Sequence, residues 1–109
     1  MLRYVVIADV PAARAVEWRE WMCQRHIPDV LATGCFERAA LWQDSTAEDP
    51  AVFVVEYWCS DMDAFQRYLA HHAPALRQEH AERFGTEVRL RRFCLALCCR
   101  AEPPVVPTP

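Results

Sequence analysis

The chain has 109 residues and a mass of 12.6 kDa, which is the size of one domain. Hydrophobic residues make up 53% of it and charged residues 25%, so an intrinsically disordered protein is excluded and one sizeable core is expected. The net charge is −3, and every basic residue is an arginine. Because there is neither a basic excess nor a clustered basic face, we expect no nucleic-acid partner.

The cysteines and the apolar runs bear on the compartment. No apolar run approaches the roughly 18 residues of a membrane span, and residues 1–10 are too short and too charged for a secretory signal. Six cysteines occur without any CxxC spacing, so the strong zinc and redox signatures are missing. We expect a cytoplasmic protein without a membrane partner, whose thiols are reduced and mostly buried.

The first half of the chain begins with a strand and a helix. Residues 2–10 form a β-branched, apolar run that predicts a strand, and Pro11 suits the first position of a helix. Apolar and aromatic residues then recur at helical spacing, namely Ala15, Trp18, Met22 and His26. Pro28 is expected to interrupt this helix and to push Ile27 out of helical geometry.

The second half contains a hairpin, a helix and a strand. Residues 35–43 and 51–58 resemble strands, and the polar segment between them predicts a hairpin loop. Ser60 is the expected cap of the next helix, which Pro74 breaks or kinks, and residues 87–99 are the last strand. The predicted apolar stripe of that helix comprises Met62, Phe65, Leu69 and His72.

The element order β-α-β-β-α-β indicates a ferredoxin-like α+β fold, with two helices on one face of a four-stranded antiparallel sheet. Residues 1–99 form this single domain, and residues 100–109 form a proline-rich, extended tail. Strand 51–58 and the last strand are apolar on both sides, with a bulge expected near Arg91. Because two helices cover only one face, we predict a homodimer in which a second copy covers the other.

Two stretches resemble a known family. The sequences HIPDVLATGCF at residues 26–36 and HHAPALRQEHAERFG at residues 71–85 are similar to a bacterial family of unknown function, placed among the dimeric α+β barrels. The resemblance covers residues 2–99 and leaves the tail outside. It implies a ferredoxin-like subunit whose sheet packs against its twin. It implies no activity, and the wider superfamily constrains function only weakly.

Three histidines, His26, His72 and His80, lie in the apolar stripes of their helices, where imidazoles are suited to proton transfer or ligand binding. The topology brings the helix ends that carry His26 and His80 near each other, with Arg83 close by. The predicted ligand site between helices and sheet therefore comprises Trp18, Met22, His26, His72, His80 and Arg83. No HExxH and no His pair at i, i+4 is present, so we predict no metal site and no cofactor.

A structural role for two histidines is the competing interpretation. His26 and His72 each stand two residues before a proline, and each proline leaves a helical carbonyl without its donor. A buried imidazole could donate to that carbonyl. His80 has no such proline partner.

Glu56 is a further candidate, because it shares one side of its strand with apolar residues. Burial would raise the pKa of its carboxyl group and suit a general base, unless Arg38 or Arg92 pairs with it. The alternative is a glutamate paired within the dimer interface.

Three functions remain open on the sequence. The first is a homodimer that binds a small apolar or aromatic molecule between sheet and helices. The second is an enzyme that uses the inward-facing histidines, either a cofactor-free monooxygenase or isomerase or a haem-handling protein. The third is a non-catalytic interaction module, whose proline-rich tail binds a partner.

Overall fold

The computed structural model describes all 109 residues. Its strands are β1 (Leu2–Val10), β2 (Arg38–Gln43), β3 (Ala51–Cys59) and β4 (Arg89–Ala96), and they form one antiparallel sheet in the order β2-β3-β1-β4. The helices lie on one face. This is the ferredoxin-like α+β fold that the order of elements predicts. None of the helices is both long and apolar enough to cross a lipid bilayer.

The first helical segment runs without interruption past Pro28. A 3₁₀ turn (Ala12–Arg14) leads into α1 (Ala15–Trp21), a π-helical turn (Met22–His26) and α2 (Ile27–Ala32). Ile27 is helical, and its backbone N–H donates to the carbonyl of Met22 five residues earlier. The expectation that Ile27 leaves helical geometry is wrong, because the wider π turn relieves the clash that a proline ring makes with the preceding turn.

The second pair of helices is α3 (Met62–His71) and α4 (Ala73–Phe84). The break before Pro74 is confirmed, since His72 has a φ of −127° between the helices. The cap of α3 is Asp61 rather than Ser60, and its Oδ1 accepts from the N–H of Ala64 at 2.8 Å. The stripe that α3 buries is also shifted from the prediction: it consists of Ala64, Phe65 and Tyr68, whereas Met62 and Leu69 are exposed.

The core lies between the helices and one face of the sheet. In β3 the residues that face the helices are fully buried: Ala51, Phe53, Val55, Tyr57 and Cys59. The intervening residues point to the other face and are half-buried: Val52, Val54, Glu56 and Trp58. No helix covers that second face, which we call the open face.

The edge strand β4 is regular throughout. It pairs with β1 without interruption from Leu2 opposite Ala96 to Asp9 opposite Arg89, so the bulge expected near Arg91 is absent. Opposite Tyr4, Val6 and Ala8, strand β4 places Cys94, Arg92 and Leu90, which therefore face the helices. Phe93 and Leu95 lie on the open face, 42% and 49% exposed.

The C-terminal tail has no regular secondary structure, and most of the cysteine thiols are exposed. Residues 97–109 have no regular secondary structure and are exposed; the domain boundary at residue 99 stays a prediction. All six cysteines are free. Only Cys35 and Cys59 are buried, because they belong to the hydrophobic core, whereas the other four are exposed. The prediction that the thiols are mostly buried is therefore wrong.

Candidate functional site

A small cavity lies beneath the helices, beside the edge strand β4. Its volume is about 30 Å³, which is room for about two water molecules. It is lined by side chains from the first helical segment, from α3 and α4, and from β1, β3 and β4: Tyr4, Val6, Trp18, Met22, His26, Tyr57, Tyr68, Arg77, His80, Leu90 and Arg92. Four of the six residues predicted for the ligand site are among them. We call this space the histidine cavity.

His80 is fixed in the wall of this cavity by a hydrogen bond from Trp18. The indole Nε1–H of Trp18 donates to Nε2 of His80 at 3.0 Å, in a buried contact. Because Nε2 is an acceptor, the neutral imidazole carries its proton on Nδ1. Burial lowers the pKa of His80 to about 4, and the charges of His26 and Arg92 act in the same direction. His80 is therefore neutral at neutral pH.

His26 reaches the same cavity from the π turn. Its ring stacks on Trp21, with centroids 5.1 Å apart, and lies 6.3 Å from the ring of His80. This confirms the predicted proximity of His26 and His80. Burial lowers the pKa of His26 to about 4, helped by Arg92 and opposed by Asp29. Nδ1 of His26 is buried and has no hydrogen-bond partner, which is uncommon for a buried polar atom.

The sheet side of the cavity is aromatic. Tyr4 lies at the centre of a cluster with Tyr57 and Tyr68, with ring centroids 5.8 and 5.9 Å away. Burial raises the pKa of both Tyr57 and Tyr68, so both phenols keep their protons. A guanidinium nitrogen of Arg77 donates to the hydroxyl oxygen of Tyr4 at 3.3 Å.

Two arginines stand at the mouth of the cavity. Arg77 on α4 and Arg92 on β4 are exposed, whereas the other lining residues are buried or half-buried. The sequence alone did not single out Arg77, Tyr4 or Tyr68 for the site. Arg92 was named only as a possible partner of Glu56, and it is the observed register with Val6 that places it on the helix side of the sheet.

Two predicted ligand-site residues lie outside the cavity. His72 is half-buried in the break between α3 and α4, where its backbone is no longer helical, and it does not line the cavity. Arg83 lies on the outer surface, with its guanidinium 6.0 Å from the ring centroid of Trp21 and 5.9 Å from that of Phe84. Arg83 therefore lies near the ring of Trp21, on which His26 stacks, but it does not line the cavity with the histidines.

Glu56 also lies elsewhere, on the open face of the sheet. It is half-buried and pairs with Arg3 at 3.7 Å, and not with Arg38 or Arg92. Arg38 instead lies over the ring of Trp58, and Arg92 points to the opposite side of the sheet. The sheet therefore separates the carboxylate of Glu56 from the histidines, so Glu56 cannot act as a general base in their cavity.

The proposed link between histidines and prolines has no support in the contacts. Neither imidazole of His26 and His72 donates to a backbone carbonyl; the side-chain hydrogen bonds of the chain include no such contact. Pro28 and Pro74 both lie in the first turn of a helix, where a backbone N–H has no intrahelical partner to lose. No three His, Cys, Asp or Glu side chains converge in an arrangement that could hold a metal ion.

The fold and the cavity define the class: a ferredoxin-like α+β protein with an aromatic, histidine-containing cavity between sheet and helices. The chain belongs to a family of domains of unknown function, DUF4286, whose model matches residues 1–96. This confirms the resemblance to a family of unknown function that the two sequence stretches indicate. No curated protein matches this chain in sequence.

Solved structures share the fold at low sequence identity. A mutant of SnoaB, a cofactor-independent oxygenase from Streptomyces nogalater, is 20% identical with a TM-score of 0.67, covering 91% of this chain and 94% of that one. HapK from Hahella chejuensis is 13% identical with a TM-score of 0.68, covering 95% and 99%. A dimeric ferredoxin-like protein from an uncultured marine organism is 10% identical with a TM-score of 0.62, covering 92% and 97%. At such identities the likeness establishes the fold alone.

Proposed function

We propose that this protein binds a small aromatic molecule in the histidine cavity. The observation that carries the proposal is the buried, unpartnered Nδ1 of His26 in a wall made mostly of aromatic and apolar side chains. A few convergent polar groups in an apolar concavity are typical of ligand sites. A ligand hydroxyl or N–H would supply the hydrogen bond that His26 lacks.

Binding requires the cavity to widen. About 30 Å³ holds about two water molecules, so an aromatic ring must displace side chains as it enters. Met22 is the lining residue best suited to move, because its unbranched side chain repacks easily. Met22 is also the first residue of the π turn, a type of helical irregularity that is frequent at functional sites.

The experiment titrates the full chain with 2-naphthylmethanol, a neutral aromatic alcohol, and follows the indole N–H signals of the four tryptophans by NMR. We expect the Trp18 signal to shift, because its N–H lies in the cavity wall. The Trp42 signal should stay in place, because Trp42 lies 59% exposed on the open face. Shifts confined to Trp42 or Trp58, or no shift at all, would contradict the proposal.

A matched pair of variants locates the binding. Val6→Leu adds a methylene to a residue that lines the cavity and should weaken binding severalfold, since the added group takes up volume that the ligand needs. Val16→Leu makes the same chemical change on the surface of α1, where Val16 is 57% exposed, and should leave binding unchanged. Equal affinities for the two variants would place the ligand elsewhere.

We also propose that the protein works as a homodimer formed through the open face. The support is the exposed apolar surface of that face, which includes Trp42, Phe93 and Leu95, and the description of similar folds as dimeric ferredoxin-like proteins. A second copy is a natural cover for a sheet with two apolar faces. The histidine cavity lies on the opposite side of the sheet, so it stays accessible in such a dimer.

An enzyme is the second candidate, and it uses the same cavity. His26 and His80 are both neutral at neutral pH, and the free Nδ1 of His26 could accept a proton from a bound ligand. The likeness to a cofactor-independent oxygenase is consistent with this at the level of the fold. Mass spectrometry of the recovered 2-naphthylmethanol after aerobic incubation tests turnover of that compound: product that disappears in His26→Ala would favour this candidate over binding alone.

A further inference from the structure

We propose that the ligand of the histidine cavity is an aromatic carboxylate, whose anionic group is held at the mouth by Arg77 and Arg92. This inference rests on the proposed function, because it names the class of molecule that the same cavity takes. It adds an anionic group to the proposed ligand, which the apolar and aromatic lining alone does not indicate.

The charge around the cavity is unbalanced. The lining contains two arginines and two neutral histidines, and it contains no aspartate or glutamate. The ion pairs of the chain involve Arg3, Arg14 and Arg25, so neither Arg77 nor Arg92 has an acidic partner. Two unpaired guanidinium groups beside one small cavity form a site of positive potential that repels a cation and attracts an anion.

This potential extends into the cavity. Besides burial, which is the main cause, the charge of Arg92 lowers the pKa of both His26 and His80. Among the charged groups near the pair, only Asp29 beside His26 acts in the opposite direction. In the chain without a ligand the histidines are therefore uncharged, and the two arginines are the cationic groups that the lining offers to a carboxylate.

Geometry favours a carboxylate attached to an aromatic ring. Guanidinium groups bind planar carboxylates through two parallel hydrogen bonds. The Arg77 side chain is held over the mouth by its hydrogen bond to Tyr4, which limits the rotamer freedom lost on binding. Behind the arginines lie Trp18 and the tyrosine cluster, which offer ring faces and edges to an aromatic body.

The test compares 2-naphthoate with 2-naphthamide, a neutral compound of nearly the same shape, by calorimetric titration of the full chain. We expect the carboxylate to bind about tenfold or more tightly, with a preference that declines as salt is added. In Arg92→Gln the affinity for naphthoate should fall about tenfold, while that for naphthamide stays within twofold. Arg77→Gln is the second variant and should act in the same direction.

Arg91→Gln is the matched control. It removes the same charge one residue earlier in β4, but Arg91 lies opposite Ile7 on the open face, so naphthoate should bind as in the unmodified protein. A second readout is independent of the ligand: Arg92→Gln should raise the pKa of His26 and His80, followed by histidine NMR signals, whereas Arg91→Gln should not.

The outcomes separate the two proposals. If naphthamide binds as tightly as naphthoate, the cavity takes aromatic molecules but selects no anion, so this inference is wrong and the proposed function stands. If neither compound binds, both are wrong. An equal loss of naphthoate affinity in Arg91→Gln and Arg92→Gln would reduce the effect to overall charge and would also overturn the assignment of Arg92.

Discussion

His26 and His80 are two imidazoles that the fold keeps uncharged. His80 is 7% exposed and its Nε2 is occupied by the indole N–H of Trp18, while His26 is stacked on Trp21. Protonation of either would place a cation in an apolar wall near Arg92, and only Asp29, beside His26, would offset part of that cost. The neutral state of the pair is therefore a property of the folded chain, and it couples stability to pH.

Acidification is expected to destabilise the protein between pH 6.5 and pH 4. The pKa of His26 and His80 is about 4 in the folded chain, below the ordinary 6.5, so the unfolded chain binds protons first as the pH falls. The free energy of unfolding should therefore be unaffected by these groups above about pH 7 and should decrease towards pH 4, by up to about 3 kcal/mol for each imidazole. Urea unfolding at a series of pH values measures this.

Two variants check the origin of that pH dependence. His80→Gln should flatten the slope, because one of the two proton acceptors is gone while the amide oxygen can still accept from Trp18. His71→Gln should leave the slope unchanged, since His71 is exposed. A slope that persists in full in His80→Gln would assign the effect to the carboxylates instead.

The start of α3 shows what a local sequence motif can and cannot specify. Ser60 and Asp61 are neighbouring residues that are both good helix caps, and spacing alone does not choose between them. In the structure Asp61 is extended, with φ −156° and ψ 174°, and caps Ala64. β3 ends at Cys59, so Ser60 directly follows the strand and Asp61 is the residue that precedes the helix.

Replacement of the cap tests this assignment. Asp61→Ala removes the acceptor for the Ala64 N–H and should lower the free energy of unfolding by about 1 kcal/mol. Ser60→Ala removes no side-chain hydrogen bond of the structure and should change stability by less than about 0.5 kcal/mol. Chemical denaturation of both variants measures the difference, and a larger loss for Ser60→Ala would restore the original prediction.

The π turn is the other element that sequence patterns did not reveal. The apolar spacing of Trp18, Met22 and His26 fits an ordinary helix, and Pro28 signals an interruption. The structure keeps the helix and inserts a wider turn instead. The sequence rule for proline predicts strain in the helix. Whether the chain relieves that strain by ending the helix or by widening one turn depends on what the helix packs against.

At the scale of the whole molecule, the open face is the side of the sheet that no helix covers. It presents Trp42, Phe93 and Leu95 at 59%, 42% and 49% exposure, together with Trp58 between the guanidinium groups of Arg3 and Arg38, each 4.8 Å from its ring centroid. We expect a particle of twice 12.6 kDa in sedimentation velocity at micromolar concentration.

Charge introduced on that face should dissociate the dimer. Phe93→Glu would bury a carboxylate in the proposed interface, at a cost of several kcal/mol, and should give a monomer that still folds. Val16→Glu, on the outer surface of α1 where Val16 is 57% exposed, should leave the particle size unchanged. A monomeric unmodified protein would contradict the homodimer directly.

The sequence by itself determined the order and type of the elements, the ferredoxin-like fold and part of the cavity wall. Periodicity is a local property, so the helical spacing of Trp18, Met22 and His26 was enough to predict the inward face of the first helix. The alternation in β3 showed two apolar sides but did not say which one the helices cover. The proximity of His26 and His80 followed from the topology of that fold.

Only the tertiary structure decided which polar groups belong to one site. Register between strands placed Arg92 on the helix side and Glu56 on the other, and the break at His72 removed that residue from the cavity while Arg77 remained at its mouth. Such outcomes depend on contacts between residues far apart in the chain, such as the 62 positions between Trp18 and His80. The hydrophobic residues that make up 53% of the chain are thus divided between a packed core and an open sheet face.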